Sequence, residues 1–521
     1  MLTGEMLRLS AERVPERTAI VGGGVRLDYR TLERDANRFA HALIAAGLRK
    51  GDKVAIMAPN VPQYPVVHFG AAKSGCVLVH LSVRYAADEL AYVLDKAEVE
   101  LLVVAQGLLE VVAAVRGRVS RLRQVVAIGG SGAGAAGAPG APGAVVFADF
   151  IADHPPEPPV LALDHDDPFA MTYTGGTTGF PKGVLVSHRS RSLTVAMAGP
   201  EFGLDEGDIF GVITPLFHTA GLFVWYQPLV ALGATCVLLE RWDARAFVEM
   251  VERERVSAVF LVPTQLNDVA RLPGLDTTRL SSLRKIGFAG APMPLPLIET
   301  LLELFPEVAF TEHYGQSETG PVTVKPPSRL REKLTSIGRP ALGVEARVVD
   351  AEGRPVAPGE IGEIVTRGDH LLCEYFREPE QTAALYKSGG GWLWTGDLAT
   401  VDEDGFFSLV DRSKDMFIIG GENVYPAEVE NALHGHQAVV ECAVFGIPHQ
   451  RLGEVAAAAV VLRPGARVAA DELIEFCAAR IARFKRPRRV DFVEALPKTA
   501  IGKVRRNLLR EPFWRHRERR L

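Results

Sequence analysis

The sequence predicts an α/β protein in two lobes: a large N-terminal domain of α/β sheets with a small β-rich subdomain, and a mobile α+β domain at the C-terminus. Three observations predict it. From residue 29 onward, short apolar strand-like runs alternate with stretches at helical spacing, as in parallel sheets covered on both faces. Near residue 340 the texture changes to short strand-like pieces with turn signals, ARVVD, GEIVTRG and FFSLVDR. After Asp411-Arg412 a helix–strand pattern restarts and fills a further unit of about a hundred residues. Only Ser413-Lys414 joins that unit to the body, and two lobes on a short tether imply hinge motion. The boundaries read as 1–411 for the large domain, 412–414 for the hinge and 415–521 for the C-terminal domain.

Taken in order, Leu32, Ala36, Phe39 and Leu43 fall at helical spacing and Gly47 follows as a stop. VAIMA (54–58) reads as a strand, 63–73 as a helix, CVLVHL (76–81) as a strand, ADELAYVLDKA (87–97) as a helix and LLVVA (101–105) as a strand. Between Ile128 and Val145 lies GGSGAGAAGAPGAPGA, where Gly132, Gly134 and Gly137 spell G-x-G-x-x-G. Pro139 and Pro142 block the helix that a dinucleotide motif must open, so a low-complexity loop is expected. Strands are also expected at 169–173, 259–263, 283–290 and 308–315. In the C-terminal unit, helices are expected at PAEVENALHGH and ADELIEFCAARIARF, and strands at VVECAVFGI, VAAAAVVL and RRVDFVEAL.

Composition excludes several classes. The 521 residues are 47% hydrophobic and 23% charged, with a net charge of −5, as in ordinary globular proteins and unlike polyanion binders. The one basic run, Arg505 to Arg520, lacks interleaved base-stacking aromatics, so no nucleic-acid partner is expected. Five scattered cysteines without a CxxC pair, four of them in apolar surroundings, indicate buried thiols in a reducing compartment. The N-terminus has no signal-peptide core, and the longest apolar run, Pro228 to Leu239, is too short to span a bilayer. A cytoplasmic protein without a membrane span is expected.

The chemistry concentrates first in TGGTTGFPKG, residues 174–183, which packs four glycines, three threonines and Lys182 into one loop. Glycines let backbone N–H groups crowd an anion, and the hydroxyls and ammonium add donors and charge. Phe180 and Pro181 separate the last inner glycine from the lysine, so this is not a Walker loop. It lies between two strand-like runs, giving strand–loop–strand. Read alone, it fits a phosphate cradle or a Gly/Thr surface turn equally well.

Other clusters lie far apart: FAGAPMP (288–294), HYGQSETG (313–320), WTGD (394–397), DRSKD (411–415) and PKTAIGKVRR (497–506). Each also has a plain structural reading. Asp397 serves equally as a turn cap, Glu318 as a surface charge and Lys503 as one lysine among many. In this order, however, they resemble the acyl-adenylate-forming superfamily of acyl-CoA synthetases, 4-coumarate–CoA ligases, firefly luciferase and adenylation domains. The resemblance runs over essentially the whole chain. It implies ATP-dependent activation of a carboxylic acid to acyl-AMP, with loss of pyrophosphate, and then thioester formation with coenzyme A.

Carried over by position, the resemblance assigns ATP phosphates to Thr174, Gly175, Gly176, Thr177, Thr178, Gly179 and Lys182, with Ser317 as a further contact, and Mg2+ to Glu318. Tyr314 would stack on adenine, bordered by Gly290, Ala291, Pro292, His313 and Gly315. Asp397 and Arg412 would hold the ribose, and Lys503 would bridge the substrate carboxylate and the α-phosphate. A carboxylate attacking a phosphate joins two anions, which is where a point cation helps most. No G-x-S-x-G nucleophile is present, so no covalent intermediate is expected. In the second step the small domain would rotate about Lys414, withdrawing Lys503 and bringing Gly420, Gly421 and Glu422 to the pantetheine channel. Ile418-Ile419 stands where many relatives carry a basic residue, which leaves coenzyme A phosphate binding open.

His218 in PLFHTAG matches a position near the mouth of the family's acyl pocket, though a packed core histidine has the same signature. No aspartate lies in that segment to pair an α-ammonium, which disfavours amino acids. Phe217, Phe223, Trp225 and Phe288 are expected as an apolar wall favouring fatty, branched or aromatic monocarboxylic acids. The partners expected are the acid, ATP and coenzyme A, with a homodimer and a lysine acetyltransferase acting on Lys503 as further candidates. The alternatives are an adenylating enzyme with a carrier-protein or other acceptor and a non-catalytic acyl-AMP sensor. The short tail after Lys503 weighs against an attached carrier domain, and the presence of Glu318 and Lys503 weighs against the sensor.

Overall fold

Strand alternation builds the body. The computed structural model describes residues 1–129, 143–174, 181–387, 390–412, 415–419, 422–478, 480–498 and 504–515. Within these, one sheet runs in the order Glu374–Tyr375, Lys182–Ser187, Pro168–Thr174, Val77–His80, Lys53–Met57, Val99–Ala105, Gln124–Ile128 and Val145–Val146. Its central strands pair in parallel. In Lys53–Met57, Val54 and Ile56 face an inner core while Ala55 and Met57 face an outer one. The residue period of two therefore feeds two cores from each strand.

A second sheet runs Arg339–Pro340, Gly320–Lys325, Ala309–Gln316, Lys285–Phe288, Ala258–Leu261, Ile209–Val212, Thr235–Leu238, Thr18–Gly22 and Val25–Asp28. Phe260 faces the same inner core, and Val259 and Leu261 face a third core under helices Ala244–Glu254, Pro263–Ala270 and Leu295–Leu304. Helix Gln63–Ser74 is buried over nearly its whole length, and the amphipathic helix Tyr29–Ala45 turns its apolar face to the same inner core. Asn60 fastens the two sheets: its Nδ2 donates to the carbonyls of Val212 and Leu239, both at 3.2 Å, and its Oδ1 accepts from Leu216 N at 2.9 Å. Lys73 and Glu33 pair at 2.7 Å in the buried helix contact.

The β-rich subdomain is an antiparallel sheet of Glu345–Val349, Gly362–Arg367, Leu393–Val401 and Phe407–Arg412. A fourth sheet begins at Phe417–Ile419 and is dominated by the long antiparallel pair Val439–His449 and Gly453–Leu462. Residues 413–414, between these two sheets, lie outside the described residues. At the junction Ala427 N donates to Asp411 Oδ2 at 2.9 Å, beside a cleft of about 340 Å³ that includes Ile361, Tyr425 and Lys485.

Most expected elements form, with ends shifted by a residue or two. Two are shorter than their apolar patterns. The second C-terminal helix is Ala470–Ala478, and the last strand is Arg489–Phe492. Part of the basic run is the helix Arg506–Trp514, and Arg506 reaches Glu430 at 2.6 Å, so this arginine is a structural anchor. Cys76, Cys236, Cys442 and Cys477 are buried as expected, and Cys373 is exposed. The low-complexity segment lies mostly outside the described residues.

Burial keeps several histidines neutral: it pushes His68, His188 and His370 down to about 4 and His313 down to about 3, from 6.5. The unfolded chain binds these protons first, so the stability they carry is full above pH 6.5 and is lost as the pH falls toward 4. Each histidine then costs about 1.4 kcal/mol per pH unit in that window. Urea unfolding midpoints are expected to drop steeply between pH 6.5 and 5; a flat profile there contradicts neutral buried rings.

Candidate active site

The carboxyl ends of the parallel strands Ala258–Leu261, Lys285–Phe288 and Ala309–Gln316 point to one edge of the body, the usual location for a ligand in an open α/β sheet. At that edge Tyr314 Oη donates to Asp397 Oδ2 at 2.7 Å, and Gln316 Nε2 donates to the same oxygen at 2.7 Å and to Thr395 O at 2.9 Å. Asp397 sits opposite Arg412 in the ladder of Leu393–Val401 with Phe407–Arg412. Two residues of one sheet thus converge on a carboxylate supplied by another.

Residues two apart on a strand share a face, which lets both reach it. The register slips between Tyr314 and Gly315, where the strand pairs with Gly320–Lys325. A Cβ at residue 315 would lie 1.9 Å from Gly320 O, so only glycine fits. Gly290 follows its strand with φ +89° and forms an exposed turn with Ala291 and Pro292 at the same edge.

The turn after the bulge carries Ser317 and Glu318. Tyr375 Oη donates to Glu318 Oε1 at 2.8 Å, Leu372 N donates to Glu318 O at 2.7 Å, and Lys182 Nζ lies 4.9 Å from the Tyr375 ring centre. Thr172 and Thr219 hydroxyls meet at 3.2 Å, and Thr219 Oγ1 donates to Ser317 Oγ at 3.2 Å. The glycine-threonine loop is the tip of an antiparallel hairpin closed by Thr174 opposite Lys182, which is the strand–loop–strand topology expected. Gly175, Gly176, Thr177, Thr178 and Gly179 lie outside the described residues, as do Lys414, Gly420, Gly421 and Lys503. Lys503 is flanked by residues that are fixed: Lys498 bridges Val504, and Lys498 Nζ pairs with Glu441 at 2.5 Å. Glu422 is exposed and opens the strand Glu422–Val424.

His313, expected beside the nucleotide, points the other way. One residue before Tyr314, it faces the inner core, accepts from Trp225 Nε1 through Nε2 at 3.1 Å and packs edge-on to Phe202 at 4.6 Å. Since Nε2 accepts and the ring is neutral, its proton sits on Nδ1.

The four expected pocket aromatics do not share a wall. Residues 220–226 form a π-helix, whose first turn packs so close to the preceding segment that a Cβ on Gly221 would lie 2.5 Å from Pro215 O. It sends Phe223 toward Phe169 at 5.9 Å, in the first sheet, and Trp225 toward Phe260 at 5.9 Å, in the second. Phe288 lies on the far face of its strand, in the outer core, while Gly287 meets Trp225. Only Phe217, on the inner side, stands next to half-buried His218, whose Nδ1 accepts from Ala220 N at 3.3 Å. Sequence reasoning missed Gln316, Tyr375 and Thr219; Gln316 lay inside a quoted motif, while the Tyr375 contact depends on long-range register.

The architecture is that of the adenylate-forming enzymes. The AMP-binding enzyme family matches residues 7–376, and the AMP-binding enzyme C-terminal domain matches residues 428–503. The chain belongs to the AMP-binding enzyme family. It is 38% identical over 504 residues to a feruloyl-CoA synthase of Amycolatopsis sp, spanning 96% of this chain and 97% of that one. It is 35% identical over 514 residues to a fatty acid–[acyl-carrier-protein] ligase of Streptomyces coeruleorubidus, spanning 97% and 95%. The fold superimposes on an anthranilate CoA ligase in complex with anthranoyl-AMP with a TM-score of 0.90, at 29% identity, covering 98% of this chain and 97% of that one. Among the described residues no helix is long and apolar enough to cross a membrane.

The crowding at the bulge gives a direct test. Gly315→Ala is expected to force the paired strands apart and cost about 3 kcal/mol, read as a fall in Tm with loss of near-UV circular dichroism. A wild-type Tm contradicts the close backbone approach.

Proposed function

We propose that this enzyme is an AMP-forming acyl-CoA synthetase: it joins a carboxylic acid to ATP, releasing pyrophosphate, and then passes the acyl group to the thiol of coenzyme A, releasing AMP. The observation that carries this reading is the full-length match to acyl-CoA-forming relatives. It is supported by the cluster at the carboxyl edge, where Asp397 gathers Tyr314 and Gln316.

On this reading Asp397 and Arg412 accept and hold the ribose, Tyr314 lies against adenine, and the turn at 290–292 borders the base. Lys182, the hairpin loop and Ser317 hold the phosphates. Glu318 fits a hard cation: its carboxylate is fixed by Tyr375 through Oε1, and oxygen donors of this kind suit Mg2+. When bound, Mg2+ would neutralise charge on the departing pyrophosphate. Lys503 supplies the cation between the two reacting anions, and rotation at Lys414 exchanges it for the Gly420–Glu422 segment. Neutralising Lys503 by acetylation would then silence the first step alone.

The acid is an aromatic or fatty monocarboxylic acid, the range that the relatives' names span. The relative that uses an acyl-carrier protein gives a specific second reading, with a pantetheine thiol on a protein as acceptor.

A panel of cinnamic, benzoic and fatty acids, scored for pyrophosphate and AMP, is expected to show turnover that requires coenzyme A. Turnover with a carrier protein and none with coenzyme A supports the second reading; ADP as product overturns both. Lys503→Ala is expected to lose acyl-AMP formation by about a thousandfold while converting supplied acyl-AMP to thioester near the wild-type rate. Equal loss of both half-reactions contradicts the division of labour.

A further inference from the structure

Arg191 is the largest charge that the scheme above leaves unused. It sits on helix His188–Ala198 and is 1% exposed, the guanidinium lying between the inner core and the turn that carries Ser317 and Glu318. Its Nη2 donates to Ser317 O at 2.6 Å, its Nη1 donates to His370 O at 3.0 Å, and its guanidinium carbon lies 5.6 Å from the Phe223 ring centre. Among the described residues its partners are carbonyls and a ring face rather than a carboxylate, and Nε has no acceptor. Burial lowers its pKa only to about 10, so it is charged at neutral pH.

A buried cation that meets its nearby carboxylate, Glu318, through space rather than by a direct hydrogen bond among the described residues is costly, and an apolar residue of the same length would fill the space more cheaply. What the charge obtains is a rigid fork across two chain segments. Ser317 belongs to the Glu318 turn; His370 begins the segment that supplies Leu372 and Tyr375, the two donors to Glu318. The return of the turn is shaped around the fork: at Gly320, with φ +63°, a Cβ would lie 2.8 Å from Nη1.

We infer that Arg191 is a positioning residue for ATP activation: by bolting the 317–320 turn to the 370–375 segment, it sets where the Glu318 carboxylate and the Ser317 hydroxyl stand. The inference rests on the reading that this turn serves Mg2+ and the phosphates. Thioester formation from acyl-AMP releases no pyrophosphate, so it does not draw on that placement.

The test compares the wild-type enzyme with Arg191→Met, which keeps length without charge, and Arg191→Lys, which keeps charge but cannot span both carbonyls. Arg191→Met is expected to raise the Mg2+ concentration for half-maximal ATP–pyrophosphate exchange about tenfold, with thioester formation from supplied acyl-AMP within about twofold of wild type. Equilibrium binding of Mg2+·ATP, followed by intrinsic tryptophan fluorescence, is expected to weaken by the same factor. Arg191→Lys is expected to fall between the two, and it carries the test alone if Arg191→Met does not fold. Equal loss in both half-reactions, or an unchanged Mg2+ requirement in a folded variant, overturns the inference. If the wild-type enzyme adenylates no acid, the functional reading fails, and the binding comparison still decides the role of Arg191.

Discussion

Everything at the candidate active site hangs on how one strand, Ala309–Gln316, ends against its neighbour Gly320–Lys325. Up to His313 its side chains alternate between two cores, as any central strand must. The same alternation puts Tyr314 and Gln316, two residues apart, on one face, where both reach the Asp397 carboxylate, while the pairing with Gly320–Lys325 slips at Gly315. The constraint is steric, because the strands approach so closely at Gly315 that a side chain has no room. A glycine that the resemblance sets beside adenine is thus also a point of close backbone packing.

The second organising feature is the treatment of polar groups in the inner core. His68, His188, His313 and His370 are buried as neutral rings, which lowers the cost of placing them among aromatics. Arg191 is treated differently and stays charged, with backbone carbonyls as partners. Neutral groups fill space between the sheets, whereas the charge ties the 317–320 turn to the 370–375 segment. Packing, electrostatics and the edge where a nucleotide would bind are therefore connected through the few residues from His313 to Gly320.

Much of this was legible in the sequence, for physical reasons. Apolar runs of strand length, separated by helical spacing, require a covered parallel sheet, and the sheets form as expected. The glycine-threonine run was expected between two strands, and the strands that flank it do form, with Thr174 opposite Lys182. Partnerships set by long-range register were not legible. Nothing local says that Tyr375 reaches Glu318 or that Gln316 shares Asp397 with Tyr314. Sidedness was also hidden: Phe288 and Trp225 look alike in composition, yet strand parity and a π-helix send them into different cores. His313 was misread because a motif gives neighbours in sequence, and neighbours on a strand face opposite ways.

Titrating Mg2+·ATP calorimetrically into the wild-type protein and Asp397→Asn is the most direct test of the claim that this carboxylate organises the nucleotide site. The substitution keeps size and one acceptor oxygen but removes the charge that draws Tyr314, Gln316 and a ribose together. The expected result is a Kd raised at least about tenfold with Tm nearly unchanged. An unchanged Kd in the folded variant would contradict that claim.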